Sequence, residues 1–315
     1  MPLRFTLRQL EYFVVVGEEG SIAGASARVN VSSPSISAAI SQLEAEFGLP
    51  LFVRKHAHGL SLTQSGRQFL THAKRVLSQA DALNRLADSI SGNVQGRLTV
   101  GCLLTFAQVL LPAIRRQFEE DHPQAEVSQV EADQLVLFDK LRRGEIDVAL
   151  SYDLEIPSDL EFLPLRALPP YVMMAADNPL AERDNISVSD LTDQPMVLLD
   201  LPLSSDYFLS FFDSVGSGPK IVERTRDMAV MRSLVANGFG FGIANIRPYS
   251  DLSPDGRPLK FVPLEGALRP MRLGLILPQG AQSVLTVSAF VEHTRAMIAS
   301  WDYPGVPIGD GLERG

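Results

Sequence analysis

Ser32, Ser33, Ser35, Ser37 and Ser41 place five hydroxyls within ten residues, with Pro34 and Ala38 as the small residues between them. Hydroxyls of this kind donate to and accept from base edges and phosphate oxygens, and their small bulk lets a helix sink into a DNA major groove. Nothing bulky or acidic blocks that face. The chemistry this implies is non-covalent reading of a polyanion.

A helix must hold these residues. Ile36, Ile40, Leu43 and Phe47 recur at helical spacing on the other face, which points inward. Pro34 suits a first helical position, where no N–H is needed, and Ser33 or Ser32 can cap it. Before it, Ile22, Ala25 and Val29 share one face of a shorter helix, and Asn30, Val31 and Ser32 fill the turn between the two. After it, Gly48 is a helix stop, and Pro50 to Phe52 begin a two-stranded basic wing with the tip Arg54-Lys55-His56-Ala57-His58-Gly59. Thr6 can cap a supporting helix running to about Val16, ended by Gly17 to Gly20, with Leu7, Leu10, Phe13 and Val14 covering the core of the two-helix unit.

At these residues the chain resembles the LysR-type transcriptional regulators of bacteria. The likeness rests on the spacing from Ala25 through Ser32-Ser33-Pro34-Ser35-Ile36-Ser37 to Leu43-Glu44, on Leu51-Phe52-Val53-Arg54, and on Leu62-Thr63-Gln64-Ser65-Gly66 opening a long helix. The resemblance implies a mainly α winged helix-turn-helix domain over residues 1–62 and a linker and dimerisation helix over 63–91. An α/β two-lobed, periplasmic-binding-protein-like effector domain follows over 92–303, with lobe I about 97–168 and 270–303 and lobe II about 169–269, and then a loose tail, 304–315. It also implies a wing that reaches the neighbouring backbone or minor groove, which marks Arg54 and, beside it, Lys55. Members often carry Gln where this chain has Ser33, a basic residue where it has Ala38, and an Arg where it has Ala57. Base contacts are fewer here on that count, and operator preference does not transfer from relatives.

Charge distribution agrees with a DNA-reading N-terminus. The whole chain carries −9, but residues 1–97 hold ten Lys or Arg against seven Asp or Glu, net +3, leaving 18 against 30, net −12, for the rest. Only the first part favours a polyanion, and so modest a charge calls for two or more copies on one site. The helix opened by Thr63 supplies the means of pairing. Phe69, Val76, Leu83 and Ile90 recur every seven residues, with Ala73, Ala80 and Ala87 beside them at the same period, a seam for a second helix. The other reading of that stripe, packing on the chain's own core, has little nearby core to receive it.

Ser91 to Gly96 is a hinge by composition, and strands and helices alternate after it. Strands over Leu98 to Cys102, Ala125 to Val130 and Asp147 to Ser151, with helices around Leu110 to Phe118 and Gln134 to Arg143, form a parallel βαβαβ start. Residues 160–176 read as strands leaving for a second unit. That unit comprises strand Met196 to Leu199, helix Tyr207 to Phe212, strand Lys220 to Glu223, helix Met228 to Asn237 and strand Phe241 to Ala244. Met271 to Leu277 returns to the first unit and Val284 to Ser300 closes it. The run Gly238-Phe239-Gly240-Phe241-Gly242 follows a helix and precedes a strand, the reverse of a dinucleotide fingerprint, and reads as a turn.

In a two-lobed fold, strand ends and helix starts face the cleft. Thr105 matches a Ser/Thr position that contacts effectors in the family, and Ser204 or Ser205 falls near its second-lobe counterpart; a plain helix cap would need the same residue types. Ser151 lies at a strand end, and so do Asp133, Asp153, Asp200 and Asp206 at strand or helix ends, carboxylates that suit a cationic group or a solvated rim. Asn245 stands where members often have proline and is a possible polar contact.

Cys102 is the one cysteine, so no intrachain disulfide or paired-thiol switch exists, and it reads as a small apolar strand residue. The five histidines show no metal-ligand spacing, and no cofactor motif, Gly-x-Ser-x-Gly elbow, HExxH or phosphate loop appears. No run approaches a membrane span and the N-terminus lacks a cleavage site, so the cytoplasm is the natural location. The combined reading is a regulator, not an enzyme, partnered by a double-stranded DNA operator, a small-molecule effector, further copies of itself as homodimer or homotetramer, and RNA polymerase. The alternative is a small-molecule receptor whose N-terminal module only mediates assembly; the basic wing counts against it.

Overall fold

The computed structural model describes residues 4–55, 59–90 and 93–302. The chain divides into two compact units, one built on residues up to Ser91 and one on the chain from Gly92 onwards.

The first unit opens with α1 (Leu7–Glu19), where Thr6 and Gln9 form a reciprocal capping box. Then come α2 (Ile22–Val29), capped by Ser21 through a 3.0 Å bond from the Gly24 N–H, and α3 (Ser33–Phe47). Asn30 ends α2 and Gly48 ends α3, both left-handed, at φ 53° and 63°. Ser32 is the N-cap of α3 but does not cap with its side chain; its hydroxyl bonds that of Ser35 at 2.8 Å. Strands β1 (Phe52–Lys55) and β2 (Gly59–Leu62) pair antiparallel as the wing, and α4 (Gln64–Ile90) follows, its Gly66 N–H donating to Thr63 Oγ1 at 2.8 Å.

Three expectations change here. Helix α1 runs through Gly17 to a left-handed stop at Gly20, whose N–H donates to the Val16 carbonyl at 2.9 Å. Leu7 is exposed, and the buried residues serve two clusters. Tyr12, Val15 and Val16 pack with Ala25, Ile36, Ala39 and Ile40, whereas Leu10, Phe13 and Val14 pack with Leu43, Leu51 and Ala73. The second cluster also takes in Phe69, Leu70 and Leu77. Phe69 and Ala73, expected in an intermolecular seam, therefore pack within their own unit, against Phe13, Phe47 and Leu43, where the sequence offered no visible core. Val76 and Leu83 stay exposed, at 42% and 68%, and the side chains of Ala87 and Ile90 lie outside the described residues.

The second unit begins with β3 (Gly96–Leu103), the single turn α5 (Leu104–Ala107), α6 (Leu111–Asp121), β4 (Ala125–Ala132), α7 (Gln134–Arg142) and β5 (Val148–Tyr152). β4 and β5 flank β3, both parallel to it, as the βαβαβ reading requires. The chain leaves through β6 (Leu160–Leu168) into β7 (Tyr171–Ala175), β8 (Ile186–Ser187), β9 (Pro195–Leu199), α8 (Ser204–Ser210), β10 (Lys220–Thr225), α9 (Met228–Ala236), β11 (Gly242–Ala244) and β12 (Leu259–Glu265). It returns through β13 (Met271–Pro278) to α10 (Leu285–Ser300). The larger sheet has the order β4-β3-β5-β13-β6, with β13 antiparallel to both neighbours; the second has the order β11-β7-β12-β8, and β9 pairs in parallel with β10. A two-lobed α/β architecture with two crossings, β6 to β7 and β12 to β13, results. Cys102 is fully buried in β3, and burial pushes its thiol well above the usual range. Strand β12 went unread in the sequence because Pro263 interrupts it; Pro263 is exposed there, opposite Tyr171 at one end of the pairing with β7.

Candidate nucleic-acid interface and effector cleft

Packing alone turns the hydroxyl face of α3 outward. Ile36, Ala39, Ile40 and Leu43 are buried, which leaves Ser32, Pro34, Ser35, Ala38 and Ser41 exposed and Ser33 and Ser37 half-buried. The turn before it is fixed by Ser26 Oγ, which donates to the Val31 carbonyl at 2.6 Å. Arg54 and Lys55 stand in β1 opposite Leu60 and Gly59; their side chains, like residues 56–58 at the wing tip, lie outside the described residues.

In the second unit, the five cleft candidates share one property: all are buried polar residues. Thr105, in α5 directly after β3, is 5% exposed, Ser151 in β5 0%, Ser204 3%, Ser205 8% and Asn245, directly after β11, 2%. Thr105 Oγ1, Ser151 Oγ, Ser204 Oγ and Asn245 Oδ1 have no hydrogen-bond partner, while Asn245 Nδ2 donates to the Leu168 carbonyl at 2.6 Å. Burying such a group unpaired costs about 1–3 kcal/mol, so each calls for an explanation; His293 Nε2 and Thr294 Oγ1 of α10 are buried without a partner as well. Sequence reasoning missed Gln134. Its Nε2 donates to the carbonyls of Tyr152 and Leu154 at 3.0 and 2.7 Å, and its fully buried Oε1 is unpartnered. Thr105, Gln134 and Ser151 thus sit at the C-terminal ends of the three adjacent parallel strands β3, β4 and β5, where α/β sheets take their ligands. Gln134 resembled an ordinary helix residue because burial and carbonyl partners leave no mark on local sequence.

Ser204 and Ser205 differ from expectation in one respect. Helix α8 starts at Ser204, three residues before the expected Tyr207, so both serines belong to its first turn and Leu203, at φ 65°, is the cap. A β-carbon residue in that region is strained by about 1–3 kcal/mol.

The carboxylates are mostly committed. Asp133 Oδ2 meets Arg226 Nη2 at 2.7 Å, Asp153 Oδ2 meets Arg269 Nη2 at 2.6 Å, and Asp200 meets Arg224 at 3.3 Å. These arginine partners lie two dozen residues or more away in the chain and had no sequence signal. Tyr207 donates to the Arg269 carbonyl at 2.6 Å, and burial pushes its phenol up to about 12. A small cavity of about 60 Å³ opens beside Thr105, lined also by Leu104, Gln108, Arg226, Asp227 and Met228. Among the described residues no group of three His, Cys, Asp or Glu could hold a metal ion, and no helix is long and apolar enough to cross a membrane.

The family profile described as the LysR substrate binding domain matches residues 91–299, and that of the bacterial regulatory helix-turn-helix protein, lysR family, matches residues 7–67. The chain belongs to the LysR family of transcriptional regulators. It is a DNA-binding regulator with an N-terminal helix-turn-helix and a C-terminal domain of the effector-binding kind, as the two units suggested. The uncharacterized HTH-type transcriptional regulator YvbU of Bacillus subtilis is 27% identical over 299 residues, 94% of this chain and 99% of its own length. The crystal structure of HinK, a LysR family regulator of Pseudomonas aeruginosa, is 31% identical, covers 93% of this regulator and 99% of its own chain, and superposes with a TM-score of 0.63. The structure of full-length CbnR complexed with its target DNA is 25% identical at a TM-score of 0.67, covering 93% of this chain and 99% of its own.

Proposed function

We propose that this LysR-type regulator reads its operator with Ser32, Ser33, Pro34, Ser35, Ser37, Ala38 and Ser41 of α3 and with Arg54 and Lys55 of the wing. A small polar effector, held by Thr105, Ser151, Ser204, Ser205 and Asn245 with Gln134 added, modulates that reading. The domain limits follow the functional division: residues 1–62 bind DNA, 63–91 link and pair, and 92–303 bind the effector, while the expected tail, 304–315, lies outside the described residues. Two copies pair through the outer turns of α4, with Val76, Ala80 and Leu83 as the contact and Ala87 and Ile90 continuing it, as a dimer or a tetramer built from dimers. Pairing places two α3 helices on two half-sites. The protein acts in the cytoplasm, carries out no covalent step, and has RNA polymerase as a further partner.

The observation that carries this reading is the burial of all five cleft candidates, four of them with an unpartnered polar atom. Hydroxyls and an amide accept and donate alike, so they suit the oxygens of a small polar molecule better than an apolar one. Closing the two lobes on such a ligand changes affinity at a distance only if the ligand prefers one state, which is what coupling free energy measures.

Fluorescence anisotropy with full-length protein, the intergenic duplex upstream of its own gene and a random duplex of equal length, at several salt concentrations, tests the DNA arm. Specific, salt-sensitive binding is expected. Adding small carboxylic and amino acids in turn tests the effector arm. Equal binding to both duplexes at every salt concentration and with every ligand overturns the reading.

A further inference from the structure

Wing and reading helix contact DNA together only if their relative placement is fixed, and one side chain of α3 reaches the root of the wing. Glu44, part-buried on α3, accepts through a single carboxylate oxygen from two successive backbone N–H groups, Leu51 at 2.7 Å and Phe52 at 3.1 Å. These are the last residue before β1 and its first. The same Leu51 peptide is held from its other side. Its carbonyl accepts from the Thr63 N–H at 3.0 Å, and Thr63 Oγ1 donates to the Pro50 carbonyl at 2.7 Å. Gly66 in the first turn of α4 lies so close that a Cβ there would stand 2.1 Å from Leu51 O. The second strand is tied by the Leu60 N–H, which donates to the Gly20 carbonyl at 2.8 Å, and by Arg67 Nη1, which donates to the Leu62 carbonyl at 3.0 Å.

Resting on the reading of DNA by α3 and the wing given above, we propose that Glu44 is a positioning residue that sets the placement of β1, and with it Arg54, relative to the major-groove helix. It touches no base or phosphate. The geometry that argues for this is the double acceptance by one oxygen: two adjacent N–H groups converging on one atom fix both the distance and the twist of the strand's start, which a single bond would not. Arg54 follows Phe52 by two residues in β1. A shift at Phe52 is carried directly to Arg54.

The role separates cleanly from general stability. E44Q keeps a carbonyl oxygen in the same place and retains wild-type behaviour. E44A removes the acceptor, and E44D withdraws it by one methylene while keeping the charge. Operator affinity of E44A measured by anisotropy is expected to fall about tenfold, the loss of a wing contact to the backbone or minor groove. Hydroxyl-radical footprinting is expected to lose protection where the wing lies and keep it where α3 lies. In an R54A background, E44A is expected to cost little more than R54A alone, since both act through one contact. Should E44A fold poorly, E44D carries the same test.

An E44A or E44D protein with wild-type affinity and footprint overturns the positioning role, as does full additivity with R54A. A wild-type protein with no preference for its own upstream duplex overturns the underlying DNA assignment, and this role with it.

Discussion

Asp133 and Arg226 lie 93 residues apart in the chain and form a 2.7 Å ion pair between the first lobe and the second, Asp133 preceding α7 and Arg226 preceding α9. The two oxygens of Asp133 divide the work: Oδ1 accepts from the Val136 N–H at 3.1 Å and so caps α7, while Oδ2 takes the guanidinium. The aspartate side chain is 13% exposed and the arginine 62%, so water screens the pair and it contributes no more than about 1 kcal/mol to folding. Its weight falls on lobe placement. R226A and D133N, which keeps the cap, are expected to shift melting by about 2–4 °C at most and to change the effector concentration at half-response by severalfold. Differential scanning fluorimetry beside effector-titrated anisotropy checks both. An unchanged response in the two variants would mean that the pair belongs to the rim alone.

Ser37 is half-buried on the outward side of α3, and a carboxylate there would face phosphates. S37E is expected to abolish operator binding at physiological salt while leaving the melting temperature and effector binding intact. R54A is expected to weaken binding to all sequences and to reduce the slope of log affinity against log salt by about 1. Operator affinity retained in both variants sinks the assigned surface.

Leu83 is 68% exposed on α4, two turns beyond Val76, with no cover in its own unit. L83D therefore costs the isolated chain almost nothing, yet buries a charge in any paired helix seam. Sedimentation velocity is expected to show a loss of dimer at micromolar concentration, and DNA affinity to fall with it. A dimer unchanged in mass places the contact elsewhere.

Periodicity made α3 legible: Ile36, Ile40 and Leu43 at helical spacing left the serines only one place to go. Capping chemistry did the same for Thr6 and Thr63. The limits of α1 were not legible, since Gly17 reads locally as a stop while the left-handed residue that ends the helix is Gly20. Phe69 and Ala73 failed for the same reason; a seven-residue stripe does not say which core it meets, and Phe13 supplied one inside the unit. Position beside the strand ends singled out Thr105 and Ser151, and the departure from the family's proline singled out Asn245, but the arginines that pair with Asp133 and Asp153 come from distant parts of the chain. Long-range pairing leaves no local pattern.

Tyr207 ties α8 to the β13 crossing through the Arg269 carbonyl, and burial is the main reason its phenol titrates near 12 rather than 10. A raised pKa in the folded state favours the neutral phenol, so its contribution is full below about pH 10 and is lost as pH rises toward 12. Tyr171, also raised by burial, adds to the alkaline loss. Y207F is expected to flatten the decline of stability between these pH values, seen in urea melts at stepped pH. A decline as steep as wild type assigns the loss to Tyr171.

Thr105 offers the sharpest separation of ligand contact from scaffold. Its hydroxyl is buried and unpartnered, so it costs folding free energy rather than contributing it. T105V replaces that hydroxyl with a methyl of nearly the same size, and S151A and S204A remove the other two. If these oxygens are held for an effector, each variant is expected to melt at the same temperature as wild type or a few degrees higher, because about 1 kcal/mol of desolvation is relieved. Each is expected to lose most of its effector response while binding DNA normally. The opposite pattern, a lower melting temperature with the response intact, would mean that the hydroxyls are satisfied inside the fold and act as scaffold. Because the two accounts predict opposite signs of stability change, scanning fluorimetry distinguishes them before any effector is identified.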